Sequence, residues 1–245
     1  MIFGPGFQSV VFDCDSTLSA IEGIDRLAGE RLTEIRALTD AAMDGALPLE
    51  AVYGQRLALI RPTRAAVDAL AREYVEALVP DARETVAALC WLGKTVRILS
   101  GGLLPPVQAL AAELGLAADA VAAVPLDFHE DGGYRGFDTN SPLARSGGKL
   151  EVIRRWRLPR PVLLVGDGAT DLEARPAVDA FAAYMGVVRR PAVAAGADVV
   201  LEGLSLAPVL ALAADDADRD RLRSSPRAGL LQRGERGLNL ERNER

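Results

Sequence analysis

Residues 8–25 read QSVVFDCDSTLSAIEGID, and this stretch decides the fold. QSVVF is a short apolar run without polar alternation, the pattern of a strand buried inside a parallel sheet. It ends on Asp13, with Asp15 two residues further on and Glu22 seven residues beyond that. The acids therefore fall at the carboxyl end of a strand. In open parallel sheets ligands bind beyond those ends, where loops and helix N-termini converge.

Working outward, residues 21–78 change to helical periodicity in RLTEIRALTDAAM, PLEAVYGQRLALI and TRAAVDALAREYVEAL, broken at Gly29, Gly45 and Pro62. After Pro80, helical DARETVAALCWLG, LLPPVQALAAELG, KLEVIRRWRL and DLEARPAV alternate with strand-like TVRILSGG, PVLLVGDG and ADVVLEG. Strands alternating with helices imply βαβ units. The expected fold class is α/β, a doubly wound parallel sheet with a small helical domain inserted after the first strand. LDFHEDGGYRGFD adds a hairpin that turns at Asp131-Gly132-Gly133. The expected domains are a core of residues 1–17 and 80–215, a helical cap of residues 18–79, and a charged, flexible tail of residues 216–245 with room for one short helix.

Apolar residues make up 49% of the 245 and charged residues 25%, the balance of an ordinary globular domain. A formal net charge of -6 gives no basic footprint for nucleic acid or anionic membrane. No run approaches the ~18 apolar residues of a membrane helix, and MIFGPGFQSV does not resemble a signal peptide. Cys14 and Cys90 show neither metal spacing nor a disulfide framework, so both are read as buried apolar residues in a reducing, cytoplasmic setting. The one histidine, His129, sits among turn residues, which excludes catalysis built on histidine.

Three strand ends carry the chemistry: Asp13-Cys14-Asp15-Ser16-Thr17, Ser100-Gly101-Gly102 and Gly166-Asp167-Gly168-Ala169-Thr170-Asp171. If the strands are neighbours, Asp13, Asp15 and Asp167 converge and repel one another unless a cation is present. Mg²⁺ is the hard divalent ion that suits such oxygen ligands together with a phosphate. Ser100-Gly101-Gly102 offers a hydroxyl and open backbone N–H groups to phosphate oxygens, and Lys149, at a helix start, offers a compensating charge.

DCDST, SGG, Lys149 and GDGATD resemble the four motifs of the haloacid dehalogenase superfamily, and EGIDRLA is similar to its phosphoserine phosphatase family. The likeness runs from about Ser9 to Leu210. It implies that Asp13 is the nucleophile that forms an aspartyl phosphate, and that Asp15 is the general acid and base. It places Asp13, Asp167 and the Asp15 carbonyl on Mg²⁺, and Ser100, Gly101, Gly102 and Lys149 on the phosphate. Asp171 supports the metal and the lysine, and Thr170 contacts the substrate or its surroundings. By the same resemblance Glu22 faces the substrate ammonium, Arg56 its carboxylate, Met43 an apolar wall, and Arg189 the bound ligand. A zwitterionic amino acid needs one fixed anion and one fork-shaped cation. Leu49 and Leu103 stand where the family often has phenylalanine, which implies a wider pocket.

The expectation is a Mg²⁺-dependent hydrolase that converts O-phosphoserine to serine and phosphate, the last step of serine synthesis. Its partner is a small-molecule substrate, with the oligomeric state open and a homodimer among the options. Another phosphomonoester such as phosphothreonine, phosphoryl transfer to a second alcohol, and a binding protein without turnover remain alternatives.

Overall fold

The computed structural model describes residues 6–44 and 46–243, apart from the side chains of residues 43 and 239–243. Strand β1 (Ser9–Phe12) is followed by four helices, α1 (Gly23–Arg26), α2 (Leu32–Met43), α3 (Leu49–Ile60) and α4 (Arg64–Glu76). Then come α5 (Ala82–Trp91), β2 (Thr95–Leu103), α6 (Leu104–Glu113), β3 (Val121–Val124) and the hairpin β4 (Leu126–Phe128) and β5 (Tyr134–Phe137). The chain continues through α7 (Gly148–Trp156), β6 (Val162–Gly166), α8 (Ala169–Ala174), β7 (Ala180–Tyr184), α9 (Pro191–Ala195) and β8 (Val199–Leu201). It closes with α10 (Ala207–Ala213), α11 (Asp216–Arg223) and α12 (Ala228–Asn243).

Among the described residues the main sheet has six parallel strands in the order β3-β2-β1-β6-β7-β8. β1 is interior, and Val10, Val11 and Phe12 are fully buried, as the uninterrupted apolar run requires. β3 and β7 are strands that the periodicity does not announce. Their sequences, VAAV and AFAAY, are rich in alanine, which is depleted in strands. They are strands because their neighbours offer unpaired ladder groups. The hairpin turns as expected, with the His129 N–H bonded to the Gly133 carbonyl at 2.8 Å and the Asp131 carboxylate accepting from the Gly133 N–H at 2.8 Å.

The helices α1–α4 leave the sheet after β1 and return before α5, and α4 packs along α6. The two connecting segments are stitched together: the Val79 N–H bonds the Leu18 carbonyl at 3.0 Å, and the Ala20 N–H bonds the Ala77 carbonyl at 2.8 Å. Thr63 caps α4, accepting from the Ala66 N–H at 3.2 Å.

Two expectations need correction. Residues 216–243 are not a flexible tail; they form α11 and α12, which bury Leu222, Leu230 and Leu231. Asp215 and Asp218 make a reciprocal cap at the start of α11, with bonds of 2.7 and 3.3 Å. Lys94 pairs with Asp218 at 2.7 Å, and Arg233 pairs with Asp81 at 2.6 Å. Gly234 and Gly237 let α12 lie directly on α10, since a Cβ at either would collide with Ala207 or Pro208. Gly234 and Gly237 are a packing surface. Cys90 is exposed rather than buried, because it lies on the outer face of α5, whereas Cys14 is buried.

Candidate active site

The register brings the three motif-bearing strand ends to one level. Phe12 is opposite Ile98 on one side and Val165 on the other, so Asp13 continues beside Leu99 and Gly166. The Asp13 N–H still bonds the Val165 carbonyl at 2.8 Å. Beyond this point Asp13, Asp15, Ser100, Gly101, Gly102, Lys149, Asp167 and Thr170 line one cavity with Glu22 and Arg56.

A tight loop turns the two acids into that cavity. The Cys14 carbonyl accepts the N–H groups of Thr17, Leu18 and Ser19 at 3.3, 2.9 and 2.9 Å. Ser16 takes a left-handed conformation, φ 52°, a backbone state that non-glycine residues adopt at a cost. Its hydroxyl donates to Glu22 Oε1 at 2.7 Å, which ties the end of the loop to the start of α1. Cys14 points into the core, fully buried, so Asp13 and Asp15 share one side of the chain.

Lys149 enters from α7, its ammonium 2.9 Å from Asp13 Oδ1 and 2.7 Å from Asp171 Oδ1. Asp171 also accepts the Gly168 N–H through Oδ2 at 3.1 Å, so both its oxygens are engaged in holding the lysine and the α8 N-terminus. Two glycines make this approach possible. A Cβ at Gly148 would strike the Pro142 carbonyl, and one at Gly166 would strike the Asp171 carboxyl. Asp167 receives Thr17 Oγ1 and Arg190 Nε, each at 3.3 Å.

The electrostatics call for a further positive charge. Asp13, Asp167 and Asp171 offer carboxylate oxygens within 4.8 Å of one another. Burial, then repulsion from Glu22 and Asp13, pushes Asp167 up to about 8. Burial and Asp13 push Asp171 up to about 8 against the pull of Lys149. Burial pushes Asp15 up to about 7, opposed by the Tyr74 hydrogen bond and reinforced by Asp13. Burial and Asp15 push Glu22 up to about 8. Burial works against the Lys149 ammonium, but Asp13 and Asp171 outweigh it and raise its pKa. The ammonium pairs with Asp13 Oδ1, which has no further hydrogen-bond partner. An all-oxygen donor set with a spare carboxylate lone pair fits a hard divalent cation.

A family model described as haloacid dehalogenase-like hydrolase matches residues 10–176. The chain belongs to the haloacid dehalogenase-like hydrolases. Among curated proteins it is 41% identical over 188 residues to a phosphoserine phosphatase of Bos taurus, covering 75% of this chain and 84% of that one. The solved phospho-aspartyl intermediate analogue of phosphoserine phosphatase aligns with a TM-score of 0.71 at 26% identity, over 83% of this chain and 97% of that chain. A substrate-bound phosphoserine phosphatase complex aligns at 0.72 and 25% identity, over 83% and 96%.

The remaining wall of this haloacid dehalogenase-like hydrolase's cavity comes from α1–α4 and the segment before α7. Arg56 is buried on α3, and its Nη1 donates to Thr39 Oγ1 at 2.9 Å. Thr39 in turn donates to Asp25 Oδ1 at 2.5 Å. Arg56 Nε has no hydrogen-bond partner, so the side chain is held at one end and offers an N–H at the other. Leu49 lines the cavity with Ile24, Leu143 and Arg145. Leu103 is fully buried at the start of α6 and is not among those lining residues. The side chain of Met43 lies outside the described residues.

Arg189 is not at the site. It is exposed and reaches Glu202 at 3.4 Å, whereas its neighbour Arg190 is buried against Asp167 and reaches Asp44 Oδ1 at 3.1 Å. Successive residues of extended chain face opposite sides, and Arg190 has extended φ and ψ of -123° and 93°. A pair of adjacent arginines therefore sends one inward, and only the backbone decides which. Tyr74, Leu143, Arg145 and Arg190 are site residues without a sequence signal of their own. No helix among the described residues is long and apolar enough to cross a membrane.

Proposed function

We propose that this chain hydrolyses O-phosphoserine to serine and inorganic phosphate through an aspartyl phosphate on Asp13. The observation that carries the reading is the shared cavity: Glu22 and Arg56 face the same space as Asp13, Ser100 and Lys149. A phosphate-handling set alone fits any phosphomonoester, but an opposed carboxylate and guanidinium suit an amino-acid zwitterion. The curated phosphoserine phosphatases that the chain matches support the same substrate.

In this reading Asp13 Oδ attacks phosphorus in line, and Lys149 and the Ser100-Gly101-Gly102 segment hold the phosphate oxygens. Asp15 gives a proton to the departing serine oxygen, then takes one from the water that hydrolyses the intermediate. Glu22 faces the ammonium and Arg56 the carboxylate, with Thr170 beside the substrate. Asp13, Asp167 and the Asp15 main-chain carbonyl would hold Mg²⁺, which as a Lewis acid offsets the repulsion between carboxylate and phosphate dianion. Asp171 supports Lys149 through Oδ1 and the N-terminus of α8 through Oδ2. The insertion after β1, within residues 18–79, acts as a cap over the core. We place the reaction in the cytoplasm, a reading supported by two thiols that are both free.

The test is phosphate release from O-phosphoserine, O-phosphothreonine, phosphoethanolamine and glucose 6-phosphate with Mg²⁺. The expected result is a kcat/KM for O-phosphoserine at least ~100-fold above glucose 6-phosphate, lost when Asp13 is replaced by asparagine. Equal rates across the panel would sink the substrate, and full turnover by Asp13→Asn would sink the covalent step.

A further inference from the structure

Asp15 has two carboxylate oxygens, and a proton-transfer group works only if one defined oxygen meets the reacting atom. The Tyr74 hydroxyl, on the last turn of α4, donates to Asp15 Oδ1. A phenol with an ordinary pKa of about 10 is protonated at neutral pH, so it is a donor here. The other oxygen, Oδ2, lies toward the phosphate segment: a Cβ at Gly102 would sit 2.8 Å from Oδ2 and 3.0 Å from Ser100 Oγ. Oδ2 and the Ser100 hydroxyl thus border one point above Gly102.

Tyr74 itself is tightly placed. It is fully buried, and its carbonyl accepts from Ser19 Oγ at 3.1 Å, within the stitched segments that join α1–α4 to the core. Its ring lies over Gly23, where any Cβ would collide with the hydroxyl. Glycine at 23 is therefore the space that the tyrosine tip occupies.

We propose that Tyr74 is a positioning residue for Asp15: by holding Oδ1 it presents Oδ2 to the oxygen that leaves phosphorus. The inference rests on the phosphatase reading for the role of Asp15. In the first step the Asp13 Oδ–P bond forms, the P–O bond to serine breaks, and the serine oxygen takes the proton carried on Oδ2. In the second, water attacks the aspartyl phosphate, Oδ2 takes a water proton, and the Asp13 carboxylate departs. Because α4 belongs to the helical insertion, Oδ2 is aimed only while that insertion is seated on the core.

The experiment compares two phosphoryl donors on the Mg²⁺-loaded full chain by rapid quench, following serine or acetate release in the first turnover. O-Phosphoserine needs a proton on its leaving oxygen; acetyl phosphate does not, because acetate is a stable anion. Tyr74→Phe should slow serine release ~10- to 100-fold and acetate release by less than about threefold. Gly23→Ala, which drives the hydroxyl away without removing it, should give the same split. The proposal is overturned if Tyr74→Phe, with the melting temperature of the parent, cleaves O-phosphoserine at the parental rate or slows both donors equally. Should Tyr74→Phe not fold, Gly23→Ala is judged by the same two criteria. A parent that forms no aspartyl phosphate from O-phosphoserine would defeat the substrate reading, and this inference with it.

Discussion

Asp13 and Asp15 differ by two positions and by their partners. Asp13 is paired through Oδ1 with the Lys149 ammonium; Asp15 is bound at one oxygen by a neutral phenol. A carboxylate paired with a fixed cation suits a nucleophile, whereas one that burial pushes up to about 7 suits a proton carrier. Arg56 is the residue on which the proposed substrate turns. Its Nη1 is occupied by Thr39 and its Nε is left without a partner, so a bound carboxylate would gain a charge-assisted hydrogen bond of about 2 kcal/mol. Arg56→Ala should raise KM for O-phosphoserine ~30-fold and leave phosphoethanolamine, which has no carboxylate, nearly unchanged. Steady-state kinetics on the two substrates check this; equal increases would contradict the assigned partner. The family's chemical residues were legible by motif because the chemistry allows few residue types at those spacings. Arg190 was not, because its orientation depends on backbone angles that no single sequence displays.

The alanine-rich strands β3 and β7 and the glycine-containing helix α12 show where local propensity misleads among the elements. Alanine is a poor strand former and glycine a poor helix former. In both cases a preformed neighbour supplies what the segment lacks. α10 is buried along all seven residues, and it can be covered only by a helix that comes close enough to exclude water. Gly234 provides that approach, since a Cβ there would press on the Ala207 carbonyl. In an exposed helix Gly→Ala stabilises by up to ~1 kcal/mol. Here the sign should reverse: Gly234→Ala should destabilise by ~1–3 kcal/mol through overpacking. Thermal or urea melts read the sign directly, and an unchanged kcat in the folded variant would separate α12 from the chemistry. A melting temperature above the parent's would mean that α12 does not rest on α10.

For the whole molecule, the site exists because the sheet order puts β1 between β2 and β6. That order brings the acids of two strand ends together with the serine and glycines of a third, and the crowding of carboxylates is what a cation relieves. Chelation by EDTA should therefore abolish phosphate release, and Mg²⁺ should restore it. An ion that binds the folded state alone also stabilises it, by ~2.7 kcal/mol at a concentration a hundredfold above its Kd. The melting temperature of the chelated chain should rise on addition of Mg²⁺ and fall back in Asp167→Asn. A melting curve insensitive to divalent ions would argue against the carboxylate site as a metal site.

The sequence by itself determined the strand-then-acid pattern of residues 8–15, the alternation of helix and strand after Pro80, and the motif residues Asp13, Asp15, Ser100, Lys149, Asp167 and Asp171. Those features are local: hydrophobic period and residue chemistry act over a few neighbours. Only the tertiary structure decided that Tyr74 meets Asp15, that Arg190 rather than Arg189 turns inward, and that residues 216–243 close the core. Each of these depends on contacts between residues far apart in the chain, where space, backbone direction and the need to bury α10 choose among options that the local sequence leaves equal.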